Sequence, residues 1–325
     1  MKKLFFGALA MLTTFVSVAQ TEPLKRDVIR LKADYFIAGR FLDKVIFITG
    51  GARGIGKWTA LRAVKEGANV VVMDWLEKEG RLTVDSLNAL SGKGFGRAIF
   101  VYGNIQNSED CDGAIAQGVE AFGRIDYACL NAGVMDGAFS GTPFKWDESQ
   151  RKLMPAIITQ ATDEYWDNVF ATNAAGTFKA MRSTLNQFLM QNSGGSIVVV
   201  GSIAGMIGLS GNPAYVASKF AVNGLVRNAA IDYAPYGIRI NSVNMAETLT
   251  PMVARATEFV KASKASGEGF GMGAIKTMSL LKYCDSSHRG SEPWEQASNI
   301  LYLLSDEASA ITGTVMATDG GWTDF

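Results

Sequence analysis

The chain has 325 residues, and its 31 basic and 31 acidic side chains give no net field that would draw it to nucleic acid or to an anionic membrane surface. A hydrophobic content of 48 % allows a sizeable buried core, and 35 glycines without a collagen-like period favour an α/β fold with many tight turns. Cys111, Cys129 and Cys284 are too few and too scattered for a disulfide framework or a zinc site, so we expect no metal. The single histidine, His288, lies in a polar loop, so any mechanism must work without a histidine base.

The first residues have the layout of a secretory signal peptide. Lys2 and Lys3 precede an apolar run. The small residues typical of a cleavage site follow this run and end at Ala19. The run is shorter than the roughly 20 residues of a bilayer span, so we expect removal of residues 1–19, export to the periplasm and no stable membrane span. The alternatives are a membrane-resting helix, or a misassigned start on a cytoplasmic protein. Residues 20–43 mix charged and apolar side chains and predict an N-terminal extension or a short helix on the domain.

From residue 44 onward, short β-branched runs alternate with segments of helical period. Unbroken apolar runs such as residues 197–200 suit strands buried on both faces, and the helices between them imply right-handed crossovers. We therefore predict a single α/β domain over residues 44–325, built on one doubly wound parallel sheet. The predicted strands are 45–49, 70–73, 98–102, 125–130, 196–200, 238–243 and 314–317.

Two stretches, 134–162 and 246–290, are longer than the connections of such a sheet need to be. Long loops at the carboxyl edge of a parallel sheet commonly build substrate specificity, although the glycine-rich part of the second stretch is also compatible with disorder. The apolar side chains of these regions indicate either a substrate with apolar bulk or the packing of a lid. Examples are Phe139, Phe144, Trp146, Phe270 and Met272, and we group with them Met206, which lies between the two stretches.

A cofactor site is indicated by Gly50, Gly54 and Gly56, which follow the first strand and open a helix. Glycines let the backbone approach a pyrophosphate, and the helix N-terminus offers free N–H groups to that anion. Asp74 ends the second strand, where a carboxylate binds ribose hydroxyls and repels a 2′-phosphate, unless it is only a helix cap or a surface charge. Arg53 is either solvated or able to pair with a 2′-phosphate. We expect NAD, with NADP as the second choice.

A catalytic group is indicated on a helix that begins at Asn212, which we predict as its N-cap. Tyr215 and Lys219 lie four residues apart on one face of that helix, where an ammonium lowers the pKa of a neighbouring phenol. Ser202 follows a buried strand and can donate to a substrate oxygen. Asn173 is a polar residue in an apolar helix, and it either bonds its own backbone or holds a water chain to Lys219.

Together these motifs resemble the short-chain dehydrogenase/reductase family over residues 44–325. The family's glycine motif stands at 49–56, its Asn-Ala-Gly motif at 131–133, and its Asn-Ser-Tyr-Lys tetrad at the four catalytic candidates just named. The resemblance implies a three-layer Rossmann fold with strand order 3-2-1-4-5-6-7. It also implies hydride transfer between NAD(H) and a secondary alcohol or ketone, and a homo-oligomer, either a tetramer or a dimer.

The resemblance further implies a role for each site residue. Tyr215 would be the acid/base, Lys219 would bind the nicotinamide ribose, Ser202 would orient the substrate oxygen, and Asn173 would support a proton relay. The implied cofactor contacts are Gly50, Arg53, Gly54, Ile55, Gly56, Asp74, Asn104, Ile105, Asn131, Ala132, Gly133, Tyr215, Lys219, Thr248 and Thr250. Met245 and Ala246 stand where the family usually has Pro-Gly. The resemblance therefore does not determine the path of the loop that follows them.

Three alternative functions remain. The first is an NADP-dependent 3-oxoacyl or steroid-type carbonyl reductase. The second is a dinucleotide-binding sensor or scaffold without turnover, which the complete tetrad disfavours. The third is a dehydratase or epimerase of the same fold, which the glycine spacing disfavours.

Overall fold

The computed structural model describes residues 30–90, 92–138, 141–267 and 290–324. Several features singled out in the sequence lie outside these ranges. They are the predicted signal peptide, the part of the second long loop over 268–289 with its Cys284 and His288, and the aromatic and apolar side chains Phe139, Phe270 and Met272.

A parallel seven-stranded sheet with the strand order 3-2-1-4-5-6-7 runs through the described residues, so the predicted fold and order are confirmed. The order reverses between the first and fourth strands, which opens a crevice at their carboxyl ends. The strands are β1 (Val45–Thr49), β2 (Asn69–Asp74), β3 (Ala98–Tyr102), β4 (Tyr127–Leu130), β5 (Gly195–Val200), β6 (Ile238–Met245) and β7 (Val315–Thr318).

Helices cover both faces of this sheet, and each face has its own apolar core. On one face α3, α6 and α7 pack against the strands, and on the other α1, α2 and α9 do so. The helices are α1 (Gly54–Lys65), α2 (Glu77–Asn88), α3 (Ser108–Phe122), α4 (Glu148–Arg151), α5 (Asp163–Phe170), α6 (Thr177–Gln191), α7 (Pro213–Tyr233), α8 (Pro251–Ala265) and α9 (Pro293–Leu304). Within the described ranges, none of these helices combines the length and hydropathy that a bilayer span requires.

The predicted strand bounds differ from the observed ones by at most two residues, and the largest shifts are the start of β4 at Tyr127 and the end of β6 at Met245. Strand β6 continues past residue 243 to Met245, because the polar Asn244 is fully buried and pairs with Ala317 of β7. Residues 30–43 form turns, which agrees with the predicted extension and not with the alternative of a short helix. Phe41 in this segment is fully buried in the core shared by α1, α2 and α9, so packing of the domain begins before residue 44.

Candidate active site

A cleft of about 770 Å³ lies at the carboxyl ends of the strands, where a doubly wound sheet binds its ligand. Most of the predicted site residues line it: Gly50, Arg53, Gly54, Ile55, Asp74, Asn104, Ile105, Asn131, Ala132, Gly133, Ser202, Tyr215, Lys219, Thr248 and Thr250. Gly56 and Asn173 are not among the lining residues, and both contact the residues that form the wall.

The glycine turn between β1 and α1 is packed backbone to backbone against the segment after β4. Gly50 has φ +66°, and a Cβ there would lie 2.8 Å from the Cα of Ala132. A Cβ on Gly56 would lie 2.3 Å from the carbonyl oxygen of Gly50, which accepts a 2.8 Å hydrogen bond from Asn131 Nδ2. Arg53 at the N-cap of α1 makes no side-chain cap hydrogen bond. The open first turn of α1 therefore suits the pyrophosphate of a dinucleotide.

Asp74 is held in a defined position at the end of β2. Its side chain accepts hydrogen bonds of 3.0 Å from the backbone N–H groups of Ala52 and Leu76. Burial raises the pKa of this carboxyl, whereas these hydrogen bonds and the nearby Arg53 guanidinium lower it. Asp74 is neither a surface charge nor the N-cap of α2, which is Leu76. A fixed carboxylate in the cleft remains suited to ribose hydroxyls.

The loop after β6 takes a defined path although it lacks Pro-Gly. Thr248 is buried and pairs with Ser291, their hydroxyl oxygens lying 3.0 Å apart. The Thr250 hydroxyl accepts from the Val253 N–H at 3.4 Å and so caps α8. These local hydrogen bonds hold both threonines in the wall of the cleft.

The candidate acid/base residue is Tyr215 on α7, which lines the cleft together with Ser202 after β5. The Ser202 hydroxyl lies close enough to lower the pKa of Tyr215, and it accepts from the N–H of Ala204 at 3.1 Å. Lys219 lies one helical turn after Tyr215. Its Nζ donates to the carbonyl oxygen of Val200 at 2.8 Å and stands 5.7 Å from the centre of the Tyr215 ring.

The pKa values of this group reflect its burial. Burial raises the pKa of Tyr215, and the hydrogen bond with Ser202 lowers it in part. Burial also lowers the pKa of Lys219 to about 8. We predicted that the Lys219 ammonium lowers the tyrosine pKa, but in this structure removal from water has the larger effect.

Asn173 connects the tetrad to the segment after β4. It lies in a π-helical turn, Ala171–Gly176, between α5 and α6. Its side chain does not bond its own helix: Oδ1 accepts from the Val134 N–H at 2.8 Å, and Nδ2 donates to the Val134 carbonyl at 2.9 Å and to Ser218 at 3.0 Å. A Cβ on Gly133 would lie 3.2 Å from Asn173 Oδ1 and 3.6 Å from Lys219 Nζ. The absent side chain of Gly133 therefore leaves space between these two residues and the cleft.

A buried amide network beneath Ser202 escaped the sequence analysis. Asn244 Oδ1 accepts from the Ser202 N–H at 3.1 Å and from Asn223 Nδ2 at 2.9 Å. Ser242 closes the network by donating to Asn223 at 2.9 Å and accepting from Asn244 at 3.0 Å. These bonds hold the turn that carries the Ser202 hydroxyl. The signal was present in β6, where Ser242 and Asn244 are polar residues two positions apart in a strand of a buried sheet.

A second set of contacts that the sequence did not predict joins α8 to the first long loop. Arg255 donates to Asp136 at 2.8 Å, to the carbonyl oxygen of Thr142 at 2.8 Å and to Gln150 at 3.2 Å. Trp146 packs against Phe259 of α8 with ring centres 5.7 Å apart, as a lid residue would. Two other apolar side chains singled out in the sequence lie within the described residues. Phe144 lines the cleft, whereas Met206 is not among the lining residues.

A doubly wound sheet with a glycine turn, a fixed carboxylate after β2 and a Ser-Tyr-Lys group in one cleft defines a nicotinamide-dependent oxidoreductase. The chain belongs to the short-chain dehydrogenase family, whose model, described as short chain dehydrogenase, matches residues 44–261. The resemblance drawn from the motifs is thus confirmed.

Relatives and solved structures agree with this assignment. The chain is 35 % identical over 294 residues to a 3beta-hydroxysteroid dehydrogenase of Mediterraneibacter gnavus, with 89 % of this chain and 98 % of the relative covered. It is 33 % identical to a cyclohexanol dehydrogenase of an Acinetobacter species, with 88 % and 98 % covered. The crystal structure of a levodione reductase is similar with a TM-score of 0.72 and 27 % identity, covering 87 % of this chain and 99 % of that one.

Proposed function

We propose that this protein is an NAD-dependent dehydrogenase of alicyclic secondary alcohols, or the reductase of the corresponding ketones, with Tyr215 as acid/base. The observation that carries the proposal is the position of Tyr215, which lines one cleft together with Ser202, Lys219 and the glycine turn. The substrate class is supported by relatives named for ring alcohols: cyclohexanol, cyclopentanol and a 3β-hydroxysteroid.

The described residues fit a nicotinamide dinucleotide. The turn at Gly50 and the first turn of α1 would hold the pyrophosphate, Asp74 the adenosine ribose and Lys219 the nicotinamide ribose. When bound, the nicotinamide supplies or takes up the hydride. Asp74 favours NAD over NADP because its charge repels a 2′-phosphate, and Arg53 beside it offsets part of that repulsion.

The residues of the chain move and direct the proton. In alcohol oxidation the Tyr215 phenolate takes the hydroxyl proton of the substrate, and in ketone reduction the phenol returns it to the carbonyl oxygen. The Ser202 hydroxyl donates to the same substrate oxygen and stabilises its developing charge. Burial of Tyr215 and Lys219 keeps bulk water away from this exchange.

A panel of cyclic and open-chain secondary alcohols, assayed for NADH and NADPH formation, tests this proposal. The variant Tyr215→Phe should lower kcat by about 10²–10⁴-fold, because only the proton-transfer atom is lost. Tyr127→Phe is a matched control, since Tyr127 is a buried tyrosine of β4 outside the cleft. Equal rates in the wild type and Tyr215→Phe would exclude the acid/base role. Dinucleotide binding without turnover of any alcohol or ketone would favour the sensor alternative.

We also propose a homo-oligomer formed through α5, α6 and α7. The helices expose large apolar side chains, with Trp166 41 %, Phe178 46 % and Phe220 47 % accessible. Light scattering after size exclusion tests this, and Phe220→Glu should reduce the mass of a complex that uses this face.

Export rests on residues 1–19, which lie outside the described ranges. We propose that this segment is cleaved. Mass spectrometry of the mature N-terminus should find a chain that begins after Ala19, and a chain beginning at Met1 would contradict the proposal.

A further inference from the structure

The hydroxyl of Tyr165 lies at the start of the helix that carries Tyr215. Tyr165 is on α5 and fully buried, and its hydroxyl donates to Asn212 Oδ1 at 2.7 Å. Asn212 occupies the N-cap of α7 and is itself 1 % exposed. The two side chains therefore meet away from solvent, where a hydrogen bond is strong and its loss is costly.

The start of α7 is built differently from an ordinary capped helix. We predicted Asn212 as the N-cap, and it holds that position, but its side chain makes no cap hydrogen bond. The backbone of Tyr215 and that of Ala214 lie close enough to the Tyr165 oxygen to lower the pKa of Tyr165, although burial raises it more strongly. The hydroxyl thus lies at the first turn of α7 and donates to the side chain of the N-cap residue.

Packing around this hydroxyl couples α5 to the site. Tyr165 belongs to a small apolar cluster with Val134, Ala204, Ala214 and Tyr215. Val134 is the residue whose backbone Asn173 holds, and Ala204 follows Ser202. The ring of Tyr165 therefore packs in one cluster with neighbours of the catalytic candidates, and its hydroxyl is bonded to the N-cap of the helix that carries Tyr215.

We propose that Tyr165 is a positioning residue that fixes the first turn of α7, and through Asn212 and the turn's backbone sets the place of the Tyr215 ring in the cleft. The inference rests on the proposed function, in which Tyr215 transfers the proton. Proton transfer requires the donor and acceptor to approach within a few tenths of an ångström of the productive distance, so a loosened first turn lowers kcat more than substrate affinity.

The test is Tyr165→Phe, which deletes one buried oxygen and keeps the ring. We expect kcat to fall about tenfold with KM changed less than about twofold. We also expect faster amide hydrogen exchange over residues 212–219. Tyr127→Phe is the matched control, because it removes another buried hydroxyl, one that lies 3.4 Å from Asp306 and outside the cleft.

Asn212 supplies a second pair of variants should Tyr165→Phe fold poorly. Asn212→Leu should reproduce the fall in kcat and the faster exchange, whereas Asn212→Asp, which keeps an acceptor oxygen, should retain most of the wild-type kcat. A kcat equal to that of the Tyr127→Phe control, or an exchange rate over 212–219 equal to that of the wild type, would overturn the proposal. The exchange measurement needs no turnover, so it judges the placement of α7 even if no alcohol is oxidised and the proposed function fails.

Discussion

Lys219 and Asp74 are two charged residues of the cleft that are largely buried from water, and the burial or position of each leads to a measurable prediction. The pKa of Lys219 is lowered from 10.5 to about 8 by burial, so the fold disfavours its charged form. Below pH 8 the side chain is charged in both the folded and unfolded states, and the unfavourable burial is then at its largest. Between pH 8 and 10.5 the unfolded chain binds more protons, so stability rises with pH through this window.

We therefore predict that Lys219→Met raises the free energy of unfolding at pH 7 by about 1–3 kcal/mol while it abolishes turnover. The upper bound follows from about 1.4 kcal/mol per pKa unit, and the lost hydrogen bond to the Val200 carbonyl reduces it. The gain should shrink as the pH rises from 8 to 10.5. Urea unfolding at pH 7 and pH 10 measures both values, with the exposed Lys261→Met as control. A less stable variant at pH 7 would contradict this view of Lys219.

Asp74 leads to a prediction on cofactor choice. Replacing it by serine removes the negative charge, leaves a side chain that can accept a hydrogen bond from the Ala52 N–H, and leaves the nearby Arg53 to pair with a 2′-phosphate. The ratio of kcat/KM with NADP to that with NAD should rise by about 10–100-fold in Asp74→Ser. Steady-state kinetics with both cofactors measures the ratio. An unchanged ratio would show that Asp74 does not determine the preference.

At the scale of elements, α8 and the loop after β4 form one wall of the cleft. Arg255 reaches from α8 to three separate oxygen atoms of that loop, on Asp136, Thr142 and Gln150. Its ion pair with Asp136 is partly buried, the side chains being 19 % and 15 % exposed. Such multidentate arginine contacts are directional and hold two elements in register.

We predict that Arg255→Met raises KM for the alcohol by about tenfold and changes kcat less, because the wall loosens while the tetrad stays in place. Hydrogen exchange over residues 251–265 should increase at the same time. Lys261→Met tests the loss of a charge at an exposed position of the same helix. If Arg255→Met leaves both KM and exchange at the values of Lys261→Met, the contact is not what closes the cleft.

For the whole molecule, local sequence patterns predicted the helices and strands, but they did not predict the long-range contacts. Buried β-branched runs predicted β1 to β7, and the glycine turn predicted the cradle, because each signal is contained within a few neighbouring residues. The bond of Tyr165 to Asn212 and that of Asn244 to Ser202 join positions 47 and 42 residues apart. One sequence gives no measure of which polar residues meet across such distances, so these supports of the site appeared only in the structure.

The segment before residue 44 shows the same limitation and leads to the last prediction. Phe41 is fully buried against Tyr127, with ring centres 5.6 Å apart, and the adjacent Arg40 binds the fully buried Glu66. Phe41→Ala should lower the free energy of unfolding by about 3–5 kcal/mol through a cavity in the sheet core. Leu42→Ala is the matched control, because Leu42 is 53 % exposed, and it should change stability by less than about 0.5 kcal/mol. Denaturant unfolding of both variants measures the two effects. Equal midpoints would place the boundary of the cooperative domain after residue 43. A large loss of stability in Phe41→Ala alone would place the boundary within the segment that contains Phe41.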